Sequence, residues 1–165
     1  MKKYILCLLI FTCLYGHSQK PLLTEDVFVQ KQWVDSVYTS LNIDQKVGQL
    51  FTVWVATKYG DDEIKHISKL VKDHHLGGLI FSLGNIEDQA QAINKFQKIS
   101  KVPLLISMDA EWGMGMRLDD AFSFPYNMTL GAIKNDSLVY NVGKRIGYHA
   151  KRLGVHINFA PVVDI

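Results

Sequence analysis

Four short apolar runs alternate along the chain with longer stretches in which apolar residues recur every three or four positions. The runs cover residues 50–55, 79–81, 104–108 and 155–160, and the stretches cover residues 27–41, 46–50, 61–71, 86–99 and 137–153. Recurrence at three- and four-residue steps predicts amphipathic helices, and short apolar runs bounded by glycine or proline predict buried strands. Asp61 and Asp62 are the predicted caps of the helix that they begin, and Gly77–Gly78 is its predicted stop.

Apolar strands separated by helices are typical of a parallel sheet covered by helices, so the predicted fold class is α/β. A doubly wound sheet and a (β/α)8 barrel both fit this description. No strand is followed by a G-x-G-x-x-G or G-K-[ST] loop, which removes the main support for a nucleotide-binding doubly wound sheet. Four strand–helix units correspond to half of a barrel of about 250 residues. We therefore expect the N-terminal half of a TIM-type barrel, in a truncated chain.

Residues 1–18 differ from the rest of the chain. Two lysines precede an apolar stretch, and small residues follow it up to Ser18. This is the layout of a signal peptide. The stretch is too short for a permanent membrane span, which takes roughly 20 residues. We expect an exported, periplasmic or extracellular protein, with a leading segment and helix at 19–43. Lipidation at Cys13 is the alternative, although Ile10–Thr12 fit its small-residue requirement poorly.

The charge of the chain excludes one class of partner. Eighteen basic and sixteen acidic residues leave a formal charge of only +2, far from the large positive balance expected of a nucleic-acid-binding protein that neutralises many phosphates. Both cysteines lie in the leader, so the mature chain has no thiol for a disulfide or a metal. No H-E-x-x-H or comparable spacing occurs, and we predict neither a metal nor a cofactor.

The loop after the third predicted strand carries the candidate chemistry. It contains Asp109, Glu111, Trp112 and Arg117, at the strand end where barrel enzymes place their functional residues. Carboxylates accept hydrogen bonds from adjacent hydroxyls, guanidinium groups donate in a planar fork, and indole rings offer a flat apolar face, so the set suits a sugar. The alternative is structural: Asp109 caps the next turn, Glu111 pairs with Arg117, and Trp112 belongs to the core.

Six segments follow one another along the body of the chain. They are 44–51 (DQKVGQLF), 77–81 (GGLIF), 103–111 (PLLISMDAE), 124–125 (FP), 129–132 (TLGA) and 153–164 (LGVHINFAPVVD). Together they resemble the N-terminal barrel domain of glycoside hydrolase family 3, and most of all its β-N-acetylglucosaminidase branch. Each segment alone would be weak, whereas their joint order is specific. The resemblance makes residues 44–165 a partial barrel domain.

The resemblance also implies roles for three residues. Asp109 and Arg117 fall on positions that bind hydroxyls of the sugar in the cleavage subsite, and Asp164 falls on an acidic position that supports the barrel mouth. The family's nucleophilic Asp and the acid/base His of this branch have no counterpart in the sequence, so we assign no catalytic residue. Trp112 replaces the first of two glycines that normally follow Asp-x-Glu, which changes the expected path of this loop.

The resemblance implies an exo-acting, retaining β-glycosidase that removes terminal β-linked N-acetylglucosamine or glucose from oligosaccharides or peptidoglycan fragments. We expect this fragment to be inactive alone, and a longer chain has room for a further C-terminal domain. Two alternatives stay open. The chain could itself be a non-catalytic carbohydrate-binding or assembly module. It could also belong to another barrel enzyme, such as an aldolase or a phosphate-binding isomerase, although no lysine follows a strand in an apolar pocket.

Overall fold

The computed structural model describes residues 26–162. The predicted signal peptide and Asp164 both lie outside the described residues. The chain divides into two units at the boundary between Thr39 and Ser40. The described part of the first unit is helical, within α1 (Val27–Ser40), and no residue of this helix is buried. Among residues 26–162, no helix combines the length and apolar composition needed to cross a membrane.

The second unit alternates strands with helices in the order that the hydrophobic pattern predicts, except for one short helix at residues 127–131 that the pattern does not predict. Its elements are α2 (Ile43–Gly48), β1 (Thr52–Val55), α3 (Gly60–His74), β2 (Gly78–Phe81), α4 (Ile86–Ile99), β3 (Leu105–Met108), α5 (Asn127–Gly131), α6 (Asp136–Leu153) and β4 (Ile157–Asn158). Short 3-10 turns at Thr57–Tyr59 and Met114–Met116 lie in the loops after β1 and β3.

The four strands form one parallel sheet in the order β1-β2-β3-β4. Each strand therefore pairs with the next one along the chain, and a helix lies in each connection. Sequential parallel pairing is the arrangement of successive units in a β/α barrel. The predicted α/β class and parallel sheet are confirmed.

The hydrophobic core lies between one face of the sheet and the helices. Val55, Phe81 and Met108 are register partners on this face, and each is at most 1% exposed. Ile67 of α3 and Phe96 of α4 cover them from the helix layer. The apolar stripes of these helices supply this layer, as the three- and four-residue spacing predicts.

The opposite face of the same sheet is open. Trp54, Leu105 and Ile157 point to this side because strand residues alternate between faces, and they are 43%, 55% and 37% exposed. Ser107, at 2% exposure, and Gly78 are buried on this face. The sheet is thus apolar on both faces, but the described residues cover only one of them. Strands of this kind occur where a parallel sheet is covered on both sides.

The fourth strand is shorter than the predicted run of residues 155–160. It comprises Ile157 and Asn158, and His156 next to it shows the reason. The main-chain N–H of His156 donates to the Ile106 carbonyl at 2.8 Å, and Nδ1 of its ring accepts from the Ile106 N–H at 2.9 Å. A side chain thus makes a bond that a strand carbonyl would otherwise make.

Helix α3 begins and ends differently from the prediction. Tyr59 is its N-cap, and Asp61 and Asp62 lie in its first turn, where their negative charge interacts favourably with the helix dipole. The helix ends at His74, because His75 adopts the left-handed conformation (φ 51°, ψ 52°) that ends helices. Gly77 is not the stop. A Cβ at this position would collide with the Gln49 main chain, so glycine permits close packing there.

Candidate functional site

The loop that follows β3 turns back on itself within a few residues. Gly113 adopts a positive φ of 92°, and its N–H donates to the Ala110 carbonyl at 3.1 Å. The 3-10 turn Met114–Met116 follows immediately. A Cβ on Gly113 would lie 2.8 Å from the Phe124 ring, so both conformation and space require glycine. This turn brings Arg117 back to the end of β3.

Arg117 and Asp109 form the charged centre of the loop. Nη2 of Arg117 donates to Oδ2 of Asp109 at 2.8 Å, and its Nε donates to the main-chain carbonyl of Asp109 at 3.0 Å. The two side chains are 26% and 39% exposed, so the pair is partly desolvated yet accessible. Within residues 26–162 no hydrogen bond engages Oδ1 of Asp109 or Nη1 of Arg117. Asp109 therefore has an acceptor, and Arg117 a donor, that a bound polyol could engage.

Asn158 of β4 holds the backbone of this loop. Its Oδ1 accepts from the Ala110 N–H at 2.9 Å, and its Nδ2 donates to the Ala110 carbonyl at 3.2 Å. Ala110 is fully buried, so both bonds satisfy main-chain groups that water does not reach. The residue between Asp109 and Glu111 is thereby fixed to the neighbouring strand. Sequence reasoning assigned Asn158 no role; the signal is an amide at the end of one strand, beside the functional loop of the next.

Glu111 and Trp112 contact the segment that leads into α5. Nδ2 of Asn127 donates to Oε2 of Glu111 at 3.4 Å, and the Trp112 ring meets the Tyr126 ring edge-on at 4.8 Å. The Phe124 N–H donates to the Trp112 carbonyl at 2.8 Å. The structural alternative is therefore wrong in two respects. Arg117 pairs with Asp109 and not with Glu111, and Trp112 is half-buried, outside the core.

Asp109 and Arg117, predicted to act together, are in contact, whereas the third predicted residue, Asp164, lies outside the described residues. His74, at the end of α3, is exposed, whereas the ring of the adjacent His75 is half-buried and contacts Gln45 at 3.1 Å. Between residues 26 and 162 there is no group of three or more His, Cys, Asp or Glu side chains that could hold a metal ion.

The geometry suits the binding of a sugar ring. A polyol presents adjacent hydroxyls, each of which donates and accepts, and the Asp109–Arg117 pair offers both complementary functions on one loop. Trp112, on the same loop, and Tyr126, which contacts its ring, add apolar ring surface. The site therefore has groups for recognition and orientation.

The chain is similar to known proteins in both sequence and fold. The glycosyl hydrolase family 3 N-terminal domain matches residues 42–165. The β-N-acetylglucosaminidase/β-glucosidase of Cellulomonas fimi is 31% identical over 133 residues, which are 81% of this chain and 23% of that protein. Beta-hexosaminidase A of Pseudoalteromonas piscicida is 29% identical over 161 residues, covering 90% of this chain and 26% of its own. The chain thus spans about a quarter of the length of these relatives.

Solved structures agree with the sequence matches. A family 3 β-N-acetylglucosaminidase from Paenibacillus sp. FPU-7 superimposes with a TM-score of 0.65 at 36% identity, over 76% of this chain and 25% of that one. A β-glucoside phosphorylase superimposes with a TM-score of 0.74 at 25% identity, over 87% and 25%. These matches confirm the predicted part of a barrel. With the family domain matched from residue 42 onward, the chain belongs to glycosyl hydrolase family 3.

Proposed function

We propose that the protein containing this chain is an exo-acting, retaining β-glycosidase that releases terminal N-acetylglucosamine or glucose from oligosaccharides or cell-wall fragments. The observation that carries the proposal is the Asp109–Arg117 pair, at the carboxyl end of a barrel strand in a family 3 domain. The names of two relatives, a β-N-acetylglucosaminidase/β-glucosidase and a β-hexosaminidase, support the substrate class.

In this proposal the chain supplies recognition and not proton transfer. Asp109 accepts a hydrogen bond from a sugar hydroxyl, Arg117 donates one, and Asn158 keeps the loop in place through Ala110. Retaining glycosidases also need a nucleophile and an acid/base group about 5 Å apart. We assign both to parts of the protein beyond the described residues. Asp164 would support the mouth of the same site.

We also propose export through residues 1–18, with periplasmic or extracellular action. The lysine-led apolar stretch supports this, as does the similarity to a protein named a periplasmic β-glucosidase, from Salmonella typhimurium. Release of the segment is measurable as the N-terminal sequence of the mature protein in the host. A mature chain that still begins at Met1 would refute export by cleavage.

The decisive experiment uses the complete protein and two aryl substrates. Nitrophenyl β-N-acetylglucosaminide and nitrophenyl β-glucoside are each incubated with and without inorganic phosphate, because one structural relative is named a phosphorylase. Hydrolysis without phosphate, with release of the β-anomer first, is the expected result. Turnover only with phosphate would make the protein a phosphorylase. Sugar binding without turnover would favour the non-catalytic carbohydrate-binding module.

A further inference from the structure

The outward face of α6 carries an unusual concentration of positive charge. Lys144, Arg145, Lys151 and Arg152 are all exposed, and no acidic residue occurs from residue 137 to 162. We call these four residues, together with Tyr148, the basic stripe. Among residues 26–162, no carboxylate forms a salt bridge with any of its four cations. Elsewhere Lys31, Lys58 and Lys65 each lie within 4 Å of an aspartate.

The position of the stripe follows from the packing of the helix. Ile146, Ala150 and Leu153 of α6 lie in or against the core. At 100° per residue the cations project to the opposite side of the helix, away from the sheet. Lys144 and Arg145 lie seven residues before Lys151 and Arg152, which separates the two pairs by about 10 Å along the axis. The stripe is therefore two cationic pairs, two helical turns apart.

Tyr148 lies between the pairs and orders their guanidinium groups. Nη1 of Arg152 donates to the Tyr148 hydroxyl at 3.2 Å. The Cζ atoms of Arg145 and Arg152 lie 5.8 and 5.9 Å from the centre of the Tyr148 ring, within cation–π range. The hydrogen bond from Arg152, and then its charge, lower the pKa of Tyr148. Cations held in place before binding lose less conformational entropy when an anion arrives.

The stability of the helix does not explain this arrangement. Lys151 and Arg152 lie in the last turn, where cations interact favourably with the helix dipole. Lys144 and Arg145 lie in the middle of the helix, where the dipole gives no such benefit. Four cations on one face repel each other without a compensating carboxylate. An external anion would remove that repulsion.

We propose that the basic stripe binds an acidic, β-linked glycan chain, as a second contact surface outside the Asp109–Arg117 site. A β-1,4-linked glycan with a carboxylate on every second sugar repeats its charge at an interval close to the spacing of the two pairs. Tyr148 offers a ring face to the sugar between them. The choice of a glycan rests on the proposed function, whereas the charge and spacing are independent of it.

Binding to two soluble cellulose derivatives tests the proposal on the complete protein. Carboxymethylcellulose carries carboxylates on a β-1,4 backbone, and hydroxyethylcellulose is its neutral counterpart. The stripe variant changes Lys144, Arg145, Lys151 and Arg152 to Gln. The control variant changes four exposed lysines of α3 and α4 to Gln, which lowers the formal charge by the same four units: Lys69, Lys72, Lys95 and Lys98.

The wild type should bind carboxymethylcellulose in a salt-sensitive manner and should not bind hydroxyethylcellulose. The stripe variant should bind about tenfold more weakly or worse, because each lost exposed contact contributes modestly. The control should stay within about threefold of the wild type. Two half-variants, at residues 144–145 and 151–152, should each lose part of the affinity. They keep the test informative if the fourfold variant does not fold.

Equal losses in stripe and control variants would overturn the proposal, because net charge alone would then explain binding. Binding to vesicles of anionic phospholipid but not to carboxymethylcellulose would overturn it in favour of a membrane surface. If the protein bound neither the vesicles nor carboxymethylcellulose, the proposal would also be refuted. Turnover of a nitrophenyl glycoside is measured in parallel and should not change in the stripe variant. Loss of turnover in the wild type with retained polymer binding would refute only the proposed function.

Discussion

Replacing Asn158 with alanine should both destabilise the domain and impair the site. The change removes the two hydrogen bonds that join this side chain to the main chain of Ala110, at 2.9 and 3.2 Å. The Ala110 carbonyl still accepts from the Gly113 N–H, so losing the bond from Asn158 should cost only about 0.5–1 kcal/mol of stability. The Ala110 N–H is buried and loses the amide acceptor, which costs about 1–3 kcal/mol.

The free energy of unfolding should therefore fall by about 1.5–4 kcal/mol, measured by urea denaturation of the complete protein. Because Ala110 lies directly after Asp109, a displaced loop should also lower kcat/KM on the aryl glycoside by roughly 10- to 100-fold. Asn94→Ala is the matched control, since Asn94 is exposed on α4. An Asn158→Ala protein within about 0.5 kcal/mol of the wild type would show that the amide does not fix the loop.

Four further substitutions probe the loop and the helix. Asp109→Ala or Arg117→Ala should each lower kcat/KM by roughly 30- to 1,000-fold with an unchanged pH–rate profile; loss of one limb would assign the residue a proton-transfer role instead. Gly113→Ala should lower the free energy of unfolding by about 2 kcal/mol or more, because its φ is 92° and Phe124 occupies the space; an unchanged urea midpoint would contradict this. Gly147→Ala should raise stability by about 0.5–1 kcal/mol, because its Cβ would meet no atom within 4 Å; a destabilised protein would reveal an unrecognised neighbour.

Local signals in the sequence determined where most elements lie. Helix α4 spans Ile86–Ile99 as predicted, because Asn85 caps it by accepting from the Asp88 N–H and its apolar residues recur at helical spacing. The end of α3 could not be predicted in this way. His75 adopts a conformation that favours glycine, and Gln49 stabilises it by donating to the His75 carbonyl at 2.6 Å. That contact joins residues 26 positions apart.

The candidate site also combines features that the local sequence predicts with features that depend on distant contacts. The composition of the loop identified Asp109 and Arg117 as a polar pair of interest, since carboxylates and guanidinium groups after a barrel strand suit sugar binding. Which carboxylate Arg117 contacts depends on the turn at Gly113, and sequence spacing alone could not distinguish Asp109 from Glu111. The role of Asn158 depends on the pairing of β3 with β4, 48 residues apart.

The open face of the sheet has a consequence for how such a domain is synthesised. The helices already cover one face of the sheet within these four units, so this layer can form as the chain leaves the ribosome. Trp54, Leu105 and Ile157 on the other side stay in water for as long as nothing else covers them. During that interval the nascent chain presents an adhesive apolar surface. Molecular chaperones that bind such surfaces would be needed most at this stage, because any delay in covering the face prolongs the risk of aggregation.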